Sequence, residues 1–461
     1  MNKSASPFCV VLFLAFLLLP FSNAEANPIP QETTKPAPTA PAKERPTNEP
    51  GTQAGASTKT SDDKTAAKKS ANALDWTQWR GPERTGVLPK QNWPDKLQDS
   101  LTKKWSVKMG PSYSGPLVVG DHVYSTETVN KQNEVVRCFK RSDGTEVWKT
   151  EWQGAMQVPF FANANGSWIR ATPTYDSGKI YVVGILDVLK CLDAKTGDEV
   201  WSIDFVKRFN VSKPAFGAVT SPMIDGDYLY TQAANSFFKI NKESGEVVWQ
   251  SLKGTDSMMS GGSFSSPVIA NVAGTRQAVV ATRTALAGVD LKSGEELWNQ
   301  PIKNYRGMNI LTPLVYKGKV FSSAYNGLTQ MFDVSAARPA QAVEKWNHGA
   351  KAYMSTPVIV DGHLYMFLQN RRFSCINLET GQETYRTSER FGKYASMIVS
   401  GKKILALDQD GTLMLIRANP ESFELIDKVK LCNDSWAHLA ISGDEVVVRE
   451  LNALTVYKWK K

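Results

Sequence analysis

The 461-residue chain predicts an all-β fold, an eight-bladed β-propeller of four-stranded antiparallel blades, on three observations. First, a ten-residue pattern recurs with its glycine four residues before a large aromatic: 192–201 reads LDAKTGDEVW, 240–249 INKESGEVVW, 289–298 VDLKSGEELW, 376–385 INLETGQETY, and 139–148 the altered FKRSDGTEVW. Second, the marker residues Trp105, Trp148, Trp201, Trp249, Trp298, Trp346, Tyr385 and a degenerate copy near Ile426 stand about 40 to 53 residues apart, the length of one blade. Third, each interval opens with a short apolar strand, usually entered through a small residue and a proline: Gly115-Pro116, Thr172-Pro173, Ser221-Pro222, Ser266-Pro267, Thr312-Pro313 and Thr356-Pro357, continued without proline at Ala395-Ser396 and His438-Leu439. A seven-bladed ring is the alternative if the two weakest copies merge.

In chain order, Lys3 precedes an apolar run from Phe8 to Leu19, then Pro20 and the small residues Ser22-Asn23-Ala24, the pattern of a secretory leader over 1–24. The run is shorter than the roughly 20 apolar residues a bilayer requires, so no transmembrane span is expected in the mature chain. Residues 25–73 are rich in Pro, Thr, Ala, Lys and Ser and carry no aromatic. Such a segment cannot bury enough surface to offset its ordering entropy and reads as a disordered tether.

Residues 74–102 form an arm. Asp75-Trp76-Thr77-Gln78-Trp79-Arg80-Gly81-Pro82 and Arg84-Thr85-Gly86 suggest an extended stretch packed over a larger body, the propeller of 103–461. Lys103 to Val107 looks like the outer strand of a blade whose other three strands lie elsewhere, and the C-terminal blade, ending after Leu454 to Trp459, is one strand short. Joining the two closes the ring and leaves no long open edge.

Within each motif the Asp or Asn caps a turn through its own backbone and the glycine takes the positive-φ position, giving a hairpin whose second strand ends on the aromatic. The aromatic buries a large apolar area against a neighbouring unit. One unit cannot cover its own face, so the units stack.

The motif at 192–201 resembles the tryptophan-docking repeat of the pyrroloquinoline-quinone (PQQ)-like propeller superfamily, which includes quinoprotein alcohol dehydrogenases and the BamB outer-membrane-assembly proteins. The arm with Trp76, Trp79, Arg80, Gly81 and Pro82 is similar to the start of secreted PQQ-like repeat proteins of planctomycete bacteria. The resemblance covers nearly all of 75–461 and implies the propeller fold. Because the motif packs blades and touches no substrate, it implies less about activity. Dehydrogenases of the superfamily carry adjacent cysteines against the cofactor, an acidic residue and an Asn on calcium, and an Asp base. This chain has no Cys-Cys pair and no Cys-x-x-Cys-His haem motif.

Cys138, Cys191 and Cys375 each precede their turn glycine by six residues, which places them at equivalent third-strand positions as buried thiols; Cys432 is left unassigned. His122 and His363 fall in matching hairpin turns, while His348 and His438 stand alone, so no metal cluster is expected.

The loops entering the inner strands carry aromatics, often with a base: Tyr113; Trp168 with Arg170; Phe216 with Lys213; Phe264; Tyr305 with Arg306; Tyr353 with Lys351; Tyr394 with Lys393; and Trp436. In a propeller these loops converge on one mouth of the central channel. There they either plug the channel or bind an anionic or extended partner, with Arg170, Arg306, Lys351 and Lys393 supplying charge.

The formal net charge of +9 suits an anionic polymer, a membrane surface or an acidic protein; nucleic acid is not an expected partner of an exported chain. The expected function is an exported, periplasmic or secreted, noncatalytic BamB-like scaffold that holds an envelope protein or anionic polymer without a cofactor. The alternative is a divergent quinoprotein that oxidises an alcohol or sugar with PQQ and calcium.

Overall fold

The computed structural model describes residues 75–257 and 261–460; the leader and tether assigned to 1–24 and 25–73 lie outside them. Eight antiparallel blades follow one another: 117–153, 174–204, 223–251, 268–301, 314–348, 358–386, 395–430 and 440–459. In each, sequential strands pair from the inside outward. The eighth blade supplies three strands and receives its outer strand, Leu101–Lys108, from the N-terminal side, paired antiparallel to Ala453–Trp459. The ring therefore closes with strands from both ends of the chain, as the unpaired outer strand at Trp105 predicts.

Every recurring glycine is explained by the aromatic of the preceding blade. A Cβ on Gly144, Gly197, Gly245, Gly294 or Gly381 would lie 2.5–2.8 Å from the ring of Trp105, Trp148, Trp201, Trp249 or Trp346, respectively, and all five glycines have φ between +73° and +81°. Indole nitrogens then tie the blades together: Trp105 Nε1 donates to Arg141 O at 2.9 Å, Trp148 Nε1 to Ala194 O at 3.1 Å, Trp201 Nε1 to Lys242 O at 3.1 Å and Trp346 Nε1 to Leu378 O at 2.9 Å. Trp298 departs from the pattern. The turn facing it, Ser335 to Ala340, lacks glycine, and its indole turns inward to Gln277 Oε1 at 2.7 Å.

The small residue before each proline has an equally specific task. Gly115 N donates to Thr172 Oγ1 at 3.0 Å, Thr172 N to Ser221 Oγ at 3.0 Å, Ser221 N to Ser266 Oγ at 3.0 Å and Ser266 N to Thr312 Oγ1 at 3.2 Å. Inner strands in a propeller splay and cannot pair along their length, so hydroxyls satisfy backbone N–H groups that would otherwise be buried without partners. Cys138, Cys191 and Cys375 are buried and free on third strands, each opposite its blade's marker aromatic, and Cys432 is also buried and free.

The arm does not lie over the body. It crosses the centre of the ring. Trp76 exchanges backbone hydrogen bonds with Val118 of the first blade, and Thr77 O accepts from Tyr175 N of the second. Arg84 donates to Pro222 O at 2.9 Å and Ser221 O at 3.3 Å of the third blade and to Pro267 O at 3.4 Å of the fourth, while Arg80 Nη2 donates to Pro357 O of the sixth at 2.7 Å. Val87–Leu88 then pairs in parallel with the inner strand of the seventh. The arm is a hub, and sequence reading misses it because these partners lie far along the chain, Pro357 being 277 residues from Arg80 and the seventh blade further still. Beyond it, Trp93 and Leu97 are buried beside the seventh and eighth blades and lead into the closing strand.

Candidate functional site

With its centre crossed by the arm, the channel becomes a cup of about 730 Å³, within the range typical of ligand pockets. Trp79 contributes from the arm. Arg80 and Arg84 flank its ring, each guanidinium carbon 5.5 Å from the ring centroid. Both arginines are buried, 2% and 7% exposed, and burial lowers each to about 9. Their side-chain partners are Gln78 and backbone carbonyls, with no carboxylate among them.

Of the residues expected at the mouth, Tyr113, Arg170, Phe216, Phe264, Tyr305, Arg306, Tyr353 and Trp436 line the cup. The aromatics on one side form a continuous arc of contacting rings: Tyr305–Tyr325 at 6.2 Å between centroids, Tyr325–Tyr353 at 4.6 Å, Tyr353–Tyr394 at 5.6 Å, Tyr394–Trp436 at 3.9 Å and parallel, and Trp436–Tyr113 at 4.7 Å. Across from them Phe216 meets Phe264 at 5.8 Å. Tyr394 is buried behind the arc, and Trp168 neighbours Tyr113 without lining the cavity.

The lysines are placed differently from the expectation. Lys393 Nζ stands over the rings of Tyr394 and Tyr353 at 5.0 and 5.9 Å, outside the cavity wall. Lys351 borders a separate shallow depression with Asn326 and Gln369. The cup's cations are arginines instead. Arg170 donates from Nε to Trp168 O at 3.3 Å and from Nη2 to Gly166 O at 2.7 Å, and burial lowers it to about 10.

Arg283, which sequence reading misses, holds Gly307 O at 2.6 Å, Arg306 O at 3.0 Å and Gly261 O at 3.0 Å, and lies 4.4 Å from the Phe264 centroid. It fixes the 305–307 turn, where Arg306 has φ +51° and Gly307 +69°, and so sets where Arg306 stands. Sequence gives one weak sign of it: Arg283 interrupts an otherwise uncharged run, Ala278 to Ala287.

His438 also lines the cup, its ring stacked on Trp76 at 6.3 Å and edge-on to Trp79 at 6.1 Å. Burial and neighbouring Arg80 push it down to about 3, so it is neutral at physiological pH. Among the described residues no Asp, Glu or Cys lines the cup. Among the described residues no group of three or more His, Cys, Asp or Glu gathers as a metal site. The chemistry available is attraction of negative charge and contact with apolar or aromatic groups. The wall provides no carboxylate base.

Comparison with known proteins follows this geometry. The family model described as outer membrane protein assembly factor BamB matches residues 131–387. The BamB of Escherichia coli (strain K12) is 22% identical over 390 residues, covering 72% of this chain and 93% of its own. Among solved structures, BamB from Moraxella catarrhalis superposes with a TM-score of 0.56 at 13% identity, over 78% of this chain and 98% of its own. A europium-containing methanol dehydrogenase gives 0.61 at 12%, over 84% and 98%; at such identities the structural likeness shows the fold alone. The sequence match spans more than half of the chain, and this PQQ-like β-propeller belongs to the family described as outer membrane protein assembly factor BamB.

Proposed function

We propose that the chain is an exported, noncatalytic binding propeller of the cell envelope, a scaffold that holds a protein or polymer partner at the cup. One observation carries this reading: aromatics and arginines wall the cavity, and among the described residues no acidic side chain lines it. Such a wall binds and orients; its imidazole, His438, is held down to about 3 by burial and Arg80 and is too weak a base to draw a proton from an alcohol. Family membership supports an envelope setting, as does the leader-like sequence at 1–24. No helix among the described residues is long and apolar enough to cross a membrane.

The quinoprotein alternative meets the residues only in part. Arg170 and Arg306 suit the carboxylates of PQQ, a flat anion, and the aromatic wall suits its ring system. A calcium ion beside it requires oxygen ligands of the carboxylate type, and the cup supplies none. No oxidation step is therefore derived.

The deciding experiment is titration of the purified chain with PQQ, with and without calcium, followed by tryptophan emission and by dye-linked oxidation of alcohols and sugars. The expected result is no turnover under any condition. Sustained oxidation that depends on PQQ would overturn the noncatalytic reading.

A further inference from the structure

Three features of the cup restrict what fills it. The first is sign of charge. Arg170 and Arg306 present cations at the wall, Arg80 and Arg84 lie buried beside Trp79, and His438 adds no acid. Low-dielectric walls around positive charge focus the field and concentrate anions. Arg170 binds carbonyls through Nε and Nη2, and among the described residues its Nη1 has no hydrogen-bond partner. Arg306 is exposed, its guanidinium carbon 5.1 Å from the centroid of the neighbouring Tyr305 ring.

The second is the form of the apolar surface. Along the arc from Tyr305 to Tyr113 the rings meet tilted or edge-on, except where Tyr394 and Trp436 stack 3.9 Å apart at 3°. Rings canted against one another present edges as much as faces and form no continuous flat platform for a sugar ring. Met308, Ile310 and Met354 line the remaining wall, and methionines form adaptable sockets for apolar side chains.

The third is that the surface continues past the mouth. Phe160 is 85% exposed on the short helix Phe160–Asn165, whose Ala162 and Asn165 line the cup, and Tyr305 is 46% exposed on the opposite loop. Exposed aromatics beside a cavity mark contact with something larger than the cavity's contents.

We propose that the cup seats an acidic peptide segment of a partner protein, which inserts an apolar side chain toward Trp79 and sets its carboxylates against Arg170 and Arg306. This rests on the scaffold reading and names the partner's chemistry. Arg283 is a positioning residue, acting through the turn that carries Arg306.

The test uses the full chain and three fluorophore-labelled pentapeptides: Asp-Glu-Phe-Glu-Asp, its neutral counterpart Asn-Gln-Phe-Gln-Asn, and Asp-Glu-Ser-Glu-Asp. Anisotropy at low salt is expected to show the first binding at least about tenfold more tightly than either of the others, with the preference shrinking as salt rises. Arg306→Gln, at an exposed side chain, is expected to remove about tenfold of that affinity with the melting temperature unchanged, and Arg170→Gln a similar amount.

Equal binding of acidic and neutral peptides, affinity indifferent to Arg306→Gln, or displacement of the peptide by a polyuronate oligosaccharide that binds more tightly would each overturn the proposal. Failure here, with envelope crosslinks still forming at the mouth, would remove the acidic peptide and leave the scaffold. Loss of both would remove the scaffold as well.

Discussion

Gly197 lies flat against Trp148 of the preceding blade: a Cβ at position 197 would sit 2.5 Å from Trp148 Cε3, while Trp148 Nε1 donates 3.1 Å to Ala194 O in the same turn. This contact, repeated around most of the ring, joins sequence to fold. Gly197→Ala combines a positive-φ penalty with a clash against a rigid ring, a cost of about 2–4 kcal/mol. Gly178→Ala separates the two effects, since Gly178 has φ +84° and nothing within 4 Å of its Cβ position; its cost is about 1 kcal/mol. Urea unfolding of both variants checks this, and equal midpoints would contradict the docking account.

The hub makes a second contrast between two tryptophans of the arm. Trp76 is 1% exposed among Val118 and the eighth blade's core, whereas Trp79 faces the cup. Trp76→Ala is expected to cost about 3–5 kcal/mol and to make the arm susceptible to protease. Trp79→Ala is expected to alter the cup's tryptophan emission at about 1 kcal/mol or less. A harmless Trp76→Ala would show that the arm does not hold the ring.

Glu134 links the first two blades through Ile185 N at 2.8 Å, and the Trp152 indole N–H faces the same carboxyl. Burial pushes this carboxyl up to about 8 from 4.5. A raised carboxyl favours the neutral form in the folded state, so its contribution is fully present below about pH 4.5 and is lost as pH rises through about 8. Glu134→Gln keeps the acceptor and cannot ionise. Its stability relative to the parent is expected to improve from pH 5 to about pH 8 and then level off in urea titrations. A constant difference would mean that Glu134 does not titrate in this interval.

Much of the ring was legible because the repeat encodes contacts between neighbouring units. The glycines, marker aromatics and Ser/Thr-Pro steps each report one inter-blade contact, and the lone strand at Trp105 reported closure. Loop aromatics were legible as a set for the same reason: their position in the repeat fixes which end of the channel they reach. What remained hidden depends on distant partners. Nothing local says that Arg84 caps carbonyls of two blades, or that Arg283 carries the turn at 305–307. Lys351 and Lys393 share the loops of Tyr353 and Tyr394 but lie outside the cavity wall, because Lys393 settles over the Tyr394 and Tyr353 rings and Lys351 turns to the depression beside Asn326 and Gln369.

The claim that the cup mouth holds an envelope partner is tested most directly by photo-crosslinking in intact cells, with a benzophenone amino acid in place of Tyr305. Val248, 47% exposed on an outer strand against 46% for Tyr305, is the matched control. The account predicts a discrete crosslinked product from position 305 that weakens with Arg306→Gln and is absent from position 248. No product at 305, or the same product from both positions, would contradict it.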